Sequence, residues 1–181
     1  MTPITPNETT EQKIKNDLHK YLRSQGMLDE RLPECPDIEE KWTDLLQAYT
    51  PDGVREYAKY PNVSLGWMMY TGMAVAHFWD KDWETYGIID NLYVYIRDKR
   101  GFDYMDEYIR EELLGLNGKE YDEMEKLVGE CAARTNSLIR HLPIEPGTKA
   151  AYLAYVDALH QMYLMGAAVC LKKMGYKMSE M

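Results

Sequence analysis

One stretch of this chain constrains its fold more than any other. From Asn62 to Trp79 the sequence reads N-V-S-L-G-W-M-M-Y-T-G-M-A-V-A-H-F-W. It holds no Lys, Arg, Asp or Glu, in a chain of which 28% is charged. Pro61 ahead of it is a breaker, and Asn62 can cap, since its side chain accepts from the free N–H groups of a first turn. As a helix the stretch is roughly 27 Å long. Its apolar residues go nearly all the way round, so it is buried on most faces. Gly66, Gly72, Ala74 and Ala76 leave gaps where neighbouring helices come close. A membrane span needs about 20 strongly apolar residues. This stretch is shorter, contains Asn62, Ser64, Thr71 and His77, and is followed at once by Asp80, Lys81 and Asp82. The expectation is the central helix of a soluble bundle with no membrane partner.

A length of 181 residues suits one domain. Such a domain buries about 70% of its unfolded surface and folds without a disulfide or metal. A net charge of −9 opposes a broad basic face, so no nucleic-acid partner is expected. Cys35, Cys131 and Cys170 are odd in number and lack paired spacing, which fits free thiols in a reducing compartment. The first residues have no basic region and no apolar run, so no signal peptide is read and the cytoplasm is expected. The aromatics are skewed, with 15 Tyr against 2 Phe, and there are 12 Met. Tyr pairs an apolar ring with a polar tip, and Met fills irregular gaps. Rings at the edge of an adaptable core follow, or a groove lined by both.

Residues 1–8 hold two Pro and little that packs, and read as a disordered tail before a bundle domain over 9–181. Thr9 with Gln12 has capping-box spacing, and Ile14, Leu18, Tyr21 and Leu22 then repeat helically up to a stop at Gly26. Asp37 with Glu40 repeats the capping-box spacing before a stripe of Ile38, Trp42, Leu45, Leu46 and Tyr49. Pro51-Asp52-Gly53 reads as a break, followed by a short helix with Val54, Tyr57 and Ala58 inward. Asp82 is expected to cap a helix carrying Tyr86, Ile89, Leu92, Tyr93 and Ile96. Arg97, Lys99 and Arg100 favour the negative end of its dipole before Gly101. A shorter helix from Asp103 to Gly115 carries an acidic outer face of Asp106, Glu107, Glu111 and Glu112. Two long helices follow, Lys119 to Leu142 and one capped by Thr148 that runs to Gly175, after which the chain frays. No segment alternates with period two. The fold class is therefore all-α, a single-domain antiparallel bundle of six or seven helices.

Gly72-Met-Ala-Val-Ala76 echoes Gly166-Ala-Ala-Val-Cys170. Either the two helices are pseudo-symmetric, or two buried helices share the same need for small residues where they pack closely. The second is the simpler account.

No phosphate-binding loop, dinucleotide fingerprint, HExxH or GxSxG motif occurs. The chemistry-bearing candidates are two carboxylate–imidazole pairs one turn apart, His77 with Asp80 and Asp157 with His160. If the central and last helices pack antiparallel across Gly72 and Gly166, the two rings stand at one height. Two His and two Asp suit a divalent metal such as zinc or iron. Trp67, Tyr70 and Trp79 would wall a ligand pocket beside them. The simpler alternative pairs each His with its own Asp and binds nothing. His19 and His141 read as surface residues, and Cys131 and Cys170 as inert thiols on apolar stripes. Two functions stay open. One is a protein-interaction or structural module, with a partner or a second copy on a Tyr- and Met-rich face. The other is a ligand- or metal-binding bundle, perhaps an enzyme, with the His/Asp site.

Overall fold

The computed structural model describes residues 8–176. The expected tail, Glu8 excepted, and the fraying end beyond Tyr176 lie outside the described residues. Eight α-helices and no strand occur among the described residues. They are α1 Thr10–Ser24, α2 Pro36–Glu40, α3 Trp42–Lys59, α4 Pro61–Tyr86, α5 Leu92–Arg97, α6 Met105–Tyr108, α7 Gly118–Arg140 and α8 Lys149–Lys173. A 3₁₀ turn over Phe102–Tyr104 precedes α6, and a π-helical segment over Ile109–Leu113 follows it. No helix among them is long and apolar enough to cross a membrane.

Local signals set most of the boundaries. The Thr9 hydroxyl accepts from the Gln12 N–H at 3.1 Å, and the Gln12 side chain accepts from the Thr9 N–H at 3.0 Å. Gly26 stops α1 at φ +74°, a conformation that favours glycine. Thr148 caps α8 through the Ala151 N–H. Asp37 caps nothing: α2 begins with Cys35 at its N-cap and Pro36 in its first turn, and Asp37 instead accepts from the Trp79 indole at 3.0 Å.

The expected break at Pro51-Asp52-Gly53 does not occur, and α3 runs through it. The Thr50 hydroxyl donates to the Leu46 carbonyl inside the disturbed turn. Gly53 is buried because a Cβ there would stand 2.5 Å from the Tyr49 ring and 2.6 Å from the Tyr155 hydroxyl. It is a packing glycine, not a breaker. As a consequence Val54 and Ala58 point to solvent, not inward.

Asp82 does cap. It has φ −170° and ψ 81° inside α4, and its carboxylate accepts from the Thr85 hydroxyl at 2.6 Å. The last turn of α4 is thus a second helix joined at a kink. The long helix expected to follow is interrupted between Gly87 and Asn91, and Asn91 caps α5 anew.

The core is built around α4 and α8. Leu65, Met68, Met69, Met73, Leu159, Met162 and Met165 are essentially fully buried. Each such side chain contributes about 1.5–3 kcal/mol relative to exposure. The two helices cross at the glycines. A Cβ on Gly72 would overlap the Tyr163 carbonyl, and one on Gly166 would overlap the Met69 carbonyl. The contact is reciprocal, each glycine facing the residue three before its counterpart. The echo in sequence reflects this shared crossing.

The crossing is parallel, not antiparallel. Ser64 near the start of α4 meets Tyr155 near the start of α8, at 2.6 Å. Asp80 near the end of α4 meets Tyr176 just past the end of α8. Around this pair α3 and α7 run the other way. Lys41 at the head of α3 donates to the Gly87 carbonyl behind α4, and Lys173 at the foot of α8 reaches Glu120 at the head of α7. α1 lies along α8 in the same direction, with Glu11 beside His160 and Gly26 beside Lys172.

Candidate functional site

The parallel crossing separates the two His/Asp pairs. His77 lies five residues beyond Gly72, while His160 lies six before Gly166. In parallel helices these offsets add, putting the rings roughly 16 Å apart along the axis. No single metal at about 2 Å ligand distances joins them. Among the described residues no group of three or more His, Cys, Asp and Glu is placed to hold a metal ion.

The pairs also fail to form within each helix. His160 turns away from Asp157, and its Nδ1 meets Glu11 Oε2 at 2.5 Å and its Nε2 meets Glu39 Oε1 at 2.8 Å. Its ring stacks on Trp42 at 4.8 Å between centroids. Both nitrogens are thereby spent on carboxylates at opposite edges of the ring, and the three groups do not converge on a point. Asp157 is half-buried, and burial, followed by the nearby Glu11, raises its carboxyl above the ordinary range. Burial holds the His77 imidazole below its ordinary value, and Lys81 adds to this against Asp80. Asp80 accepts from the Tyr176 hydroxyl.

The expected pocket wall is dispersed as well. The Trp67 indole donates to the Phe102 carbonyl at 2.7 Å. Tyr70 is buried in edge contact with Trp67, 5.9 Å between centroids. Trp79 is held by Asp37 and packs on Tyr176. These rings seal seams between helices.

A cavity apart from these residues lies at the end of the bundle where α4 and α8 begin. It encloses about 630 Å³ between α3, α7, α8 and the loop before α8. Tyr57 and Tyr155 line it, and behind Tyr155 lies a hydrogen-bonded knot around Ser64. The Tyr49 hydroxyl donates to the Ser64 carbonyl at 2.6 Å, and the Ser64 hydroxyl donates to the Gly53 carbonyl at 2.8 Å. With its one proton committed, Ser64 receives the Tyr155 hydroxyl. The Tyr57 and Tyr155 rings pack 4.7 Å apart, and Tyr57 donates to Asn136 Oδ1 at 2.8 Å. Burial pushes both phenols above their ordinary range. They are neutral donors with apolar faces at physiological pH. The rim is apolar and open: Val54 is 44% and Tyr152 43% exposed, and both line the cavity. Tyr60 and Leu153, exposed too, adjoin lining residues in sequence. Arg140 also lines it, is exposed, and has no ion-pair partner among the described residues.

No protein-family model matches this chain, and no curated protein or solved structure matches it either.

Three buried polar residues carried no weight in the sequence reading. Asn136 lay within a helix read only for its apolar stripe. Arg110 stood among carboxylates read as a solvated face, yet it is 1% exposed. It sits in the π-helical segment, bonded to Asp106 at 2.8 Å and Glu125 at 3.2 Å, with Tyr121 4.0 Å from its guanidinium. Asp106 accordingly turns inward instead of joining the acidic surface, and burial raises its carboxyl against the pull of Arg110. The available signal was the i,i+4 spacing of Asp106 and Arg110 beside the apolar Met105, Tyr108 and Ile109. The third residue is Gln161, which is 4% exposed. Its Oε1 is the one buried side-chain nitrogen or oxygen with no hydrogen-bond partner among the described residues. Nothing in the sequence marks it.

Proposed function

We propose that this protein is an interaction module of the cytoplasm, and that the tyrosine-walled groove at the head of α4 and α8 is its contact surface. One observation carries the reading. Two exposed apolar side chains, Val54 and Tyr152, line a cavity of about 630 Å³, and the exposed Tyr60 and Leu153 flank its lining in sequence, while Ile88, Tyr104 and Tyr176 are exposed away from it. Contiguous exposed apolar surface favours association, and Tyr is enriched where partners meet. The occupant is a peptide segment with apolar anchors for the Tyr57 and Tyr155 faces and a carboxylate for the unpaired Arg140. An amphipathic helix laid in a groove meets this requirement. The three free thiols suit a reducing compartment.

The test is selection of displayed random peptides on the intact protein, with native mass spectrometry of the protein alone for subunit number. Enriched peptides should combine apolar residues with Asp or Glu. They should lose binding to Tyr152→Glu and weaken about tenfold on Arg140→Glu, the loss of one charge-assisted contact. Enrichment that ignores both substitutions would overturn the reading. A dimer dispersed by Tyr152→Glu would place a second copy in the groove instead.

A further inference from the structure

A second cavity, on another face of α8, has a different chemistry. It holds about 430 Å³ between α8, α2 and the loop at Leu32–Pro36. Its floor is apolar, from Leu164, Met165 and Leu171. Gln161 contributes to its wall.

The Gln161 amide has only one workable orientation. Glu11 Oε2 lies 3.0 Å from Nε2. A flipped amide would set its oxygen against that carboxylate oxygen, so nitrogen must face Glu11. Oε1 is then the other end of the amide, buried and without any donor from the protein. Buried polar atoms are almost always paired, and leaving one unpaired is unfavourable enough to need a reason. What Oε1 lacks is an N–H or O–H group.

The surrounding charge narrows the choice. Glu34 and Glu39 line the cavity against a single lysine, Lys15. Glu11 stands directly behind Gln161. His160 already engages Glu11 and Glu39 through its two ring nitrogens, which leaves Glu34 as the carboxylate of the wall with no ion-pair partner among the described residues. The site still favours a donor that carries positive charge, above an apolar floor. We propose that this cavity binds an organic amine, whose ammonium donates to Gln161 Oε1 beside Glu39 once a small shift of the wall side chains bares that atom, and whose apolar body lies on Leu164 and Met165. A volume of this size falls within the range of small-molecule sites. The inference is independent of the groove described above, since the two cavities share no residue.

Cys35 offers a local reporter. It lines the same cavity and is partly exposed, with its thiol also raised by burial, whereas Cys131 and Cys170 are buried with thiols pushed up to about 12. Iodoacetamide should therefore alkylate Cys35 alone in the native protein, as read by mass spectrometry. Phenylbutylamine should protect Cys35 saturably. Phenylbutanol, with the same body and no charge, should need about a tenfold higher concentration, the difference expected for a charge-assisted bond to a buried acceptor. Gln161→Leu should close the gap between the two probes, and Glu39→Gln should narrow it. Gln161→Met serves as a second variant, and thermal melts report that each is folded. Equal protection by amine and alcohol in the unmodified sequence would overturn the proposal. So would an absence of saturable protection, as expected if water alone fills the site, or a gap that survives both Gln161 substitutions.

Discussion

The two faces of α8 solve opposite problems. Toward α4 the helix presents Tyr155, Gly166 and the Tyr163 carbonyl, and there the packing closes on itself. Backbones touch at the glycines, and the polar atoms of the Ser64 knot are all partnered. Toward α1 and α2 the same helix presents Asp157, His160 and Gln161. That face is charged, borders a cavity, and leaves Gln161 Oε1 unpaired. The contrast shows that burial alone does not distinguish a satisfied polar group from an unsatisfied one. Ser64 and Gln161 are both buried, and the difference lies in whether the protein supplies every partner.

This comparison can be broken from its closed side first. Gly166→Leu drives a side chain into the Met69 carbonyl and should destabilise by upward of about 3 kcal/mol. Urea denaturation followed by circular dichroism reads this, and a near-normal midpoint would refute the close crossing. Ser64→Ala removes only the hydroxyl and strips partners from the Gly53 carbonyl and the Tyr155 hydroxyl. A loss of about 2 kcal/mol is expected from the same titration. Tyr155→Phe removes one bond and leaves Ser64 bonded to Gly53, so about 1 kcal/mol should be lost.

The open side should respond differently. Gln161→Leu removes an unpaired oxygen together with one bond to Glu11. Stability should stay within about 0.5 kcal/mol of the starting protein. A loss as large as that of Ser64→Ala would mean that Oε1 is partnered after all. The smallest effect concerns Asp157, whose carboxyl is raised above 3.8 chiefly by burial. In the interval between 3.8 and the folded value, the folded protein keeps a proton that the unfolded chain has lost. Stability therefore falls as pH rises through that interval. Asp157→Asn should be the more stable protein at pH 7, and its advantage should vanish below the unfolded value. A stability difference independent of pH would show that the substitution acts through packing.

Much of the fold was legible because it rests on local rules. The uncharged run to Trp79 announced a buried helix, and Thr9, Gly26, Asp82 and Thr148 mark ends through their own backbone chemistry. Gly53 misled because one residue type serves both turns and tight packing, and only the Tyr49 and Tyr155 rings beside it decide between them. The direction of α8 against α4 was not legible either. Short connections suggest antiparallel neighbours, but α4 and α8 are not consecutive, and sequence spacing is silent on how they meet. The candidate site failed for the same reason. His77 and His160 fall at matching distances from their glycines, and only helix direction decides whether those distances cancel or add. The partners of His160 come from Glu11 and Glu39, more than a hundred residues away.

The parallel crossing also bears on how the chain reaches this state. A hairpin of adjacent helices can zip from its turn, but α4 and α8 have residues 87–148 between them. Their glycine faces meet only after that long loop has closed, an entropic toll settled before the contact gives anything back. Until then the bare backbone at Gly72, with Met69 and Met73 beside it, has no lid. Transiently uncovered apolar surface is where partly folded chains stick to one another. Refolding of this protein should accordingly slow and grow more aggregation-prone with any change that lengthens or loosens the segment between α4 and α8, even one that leaves the native contacts intact.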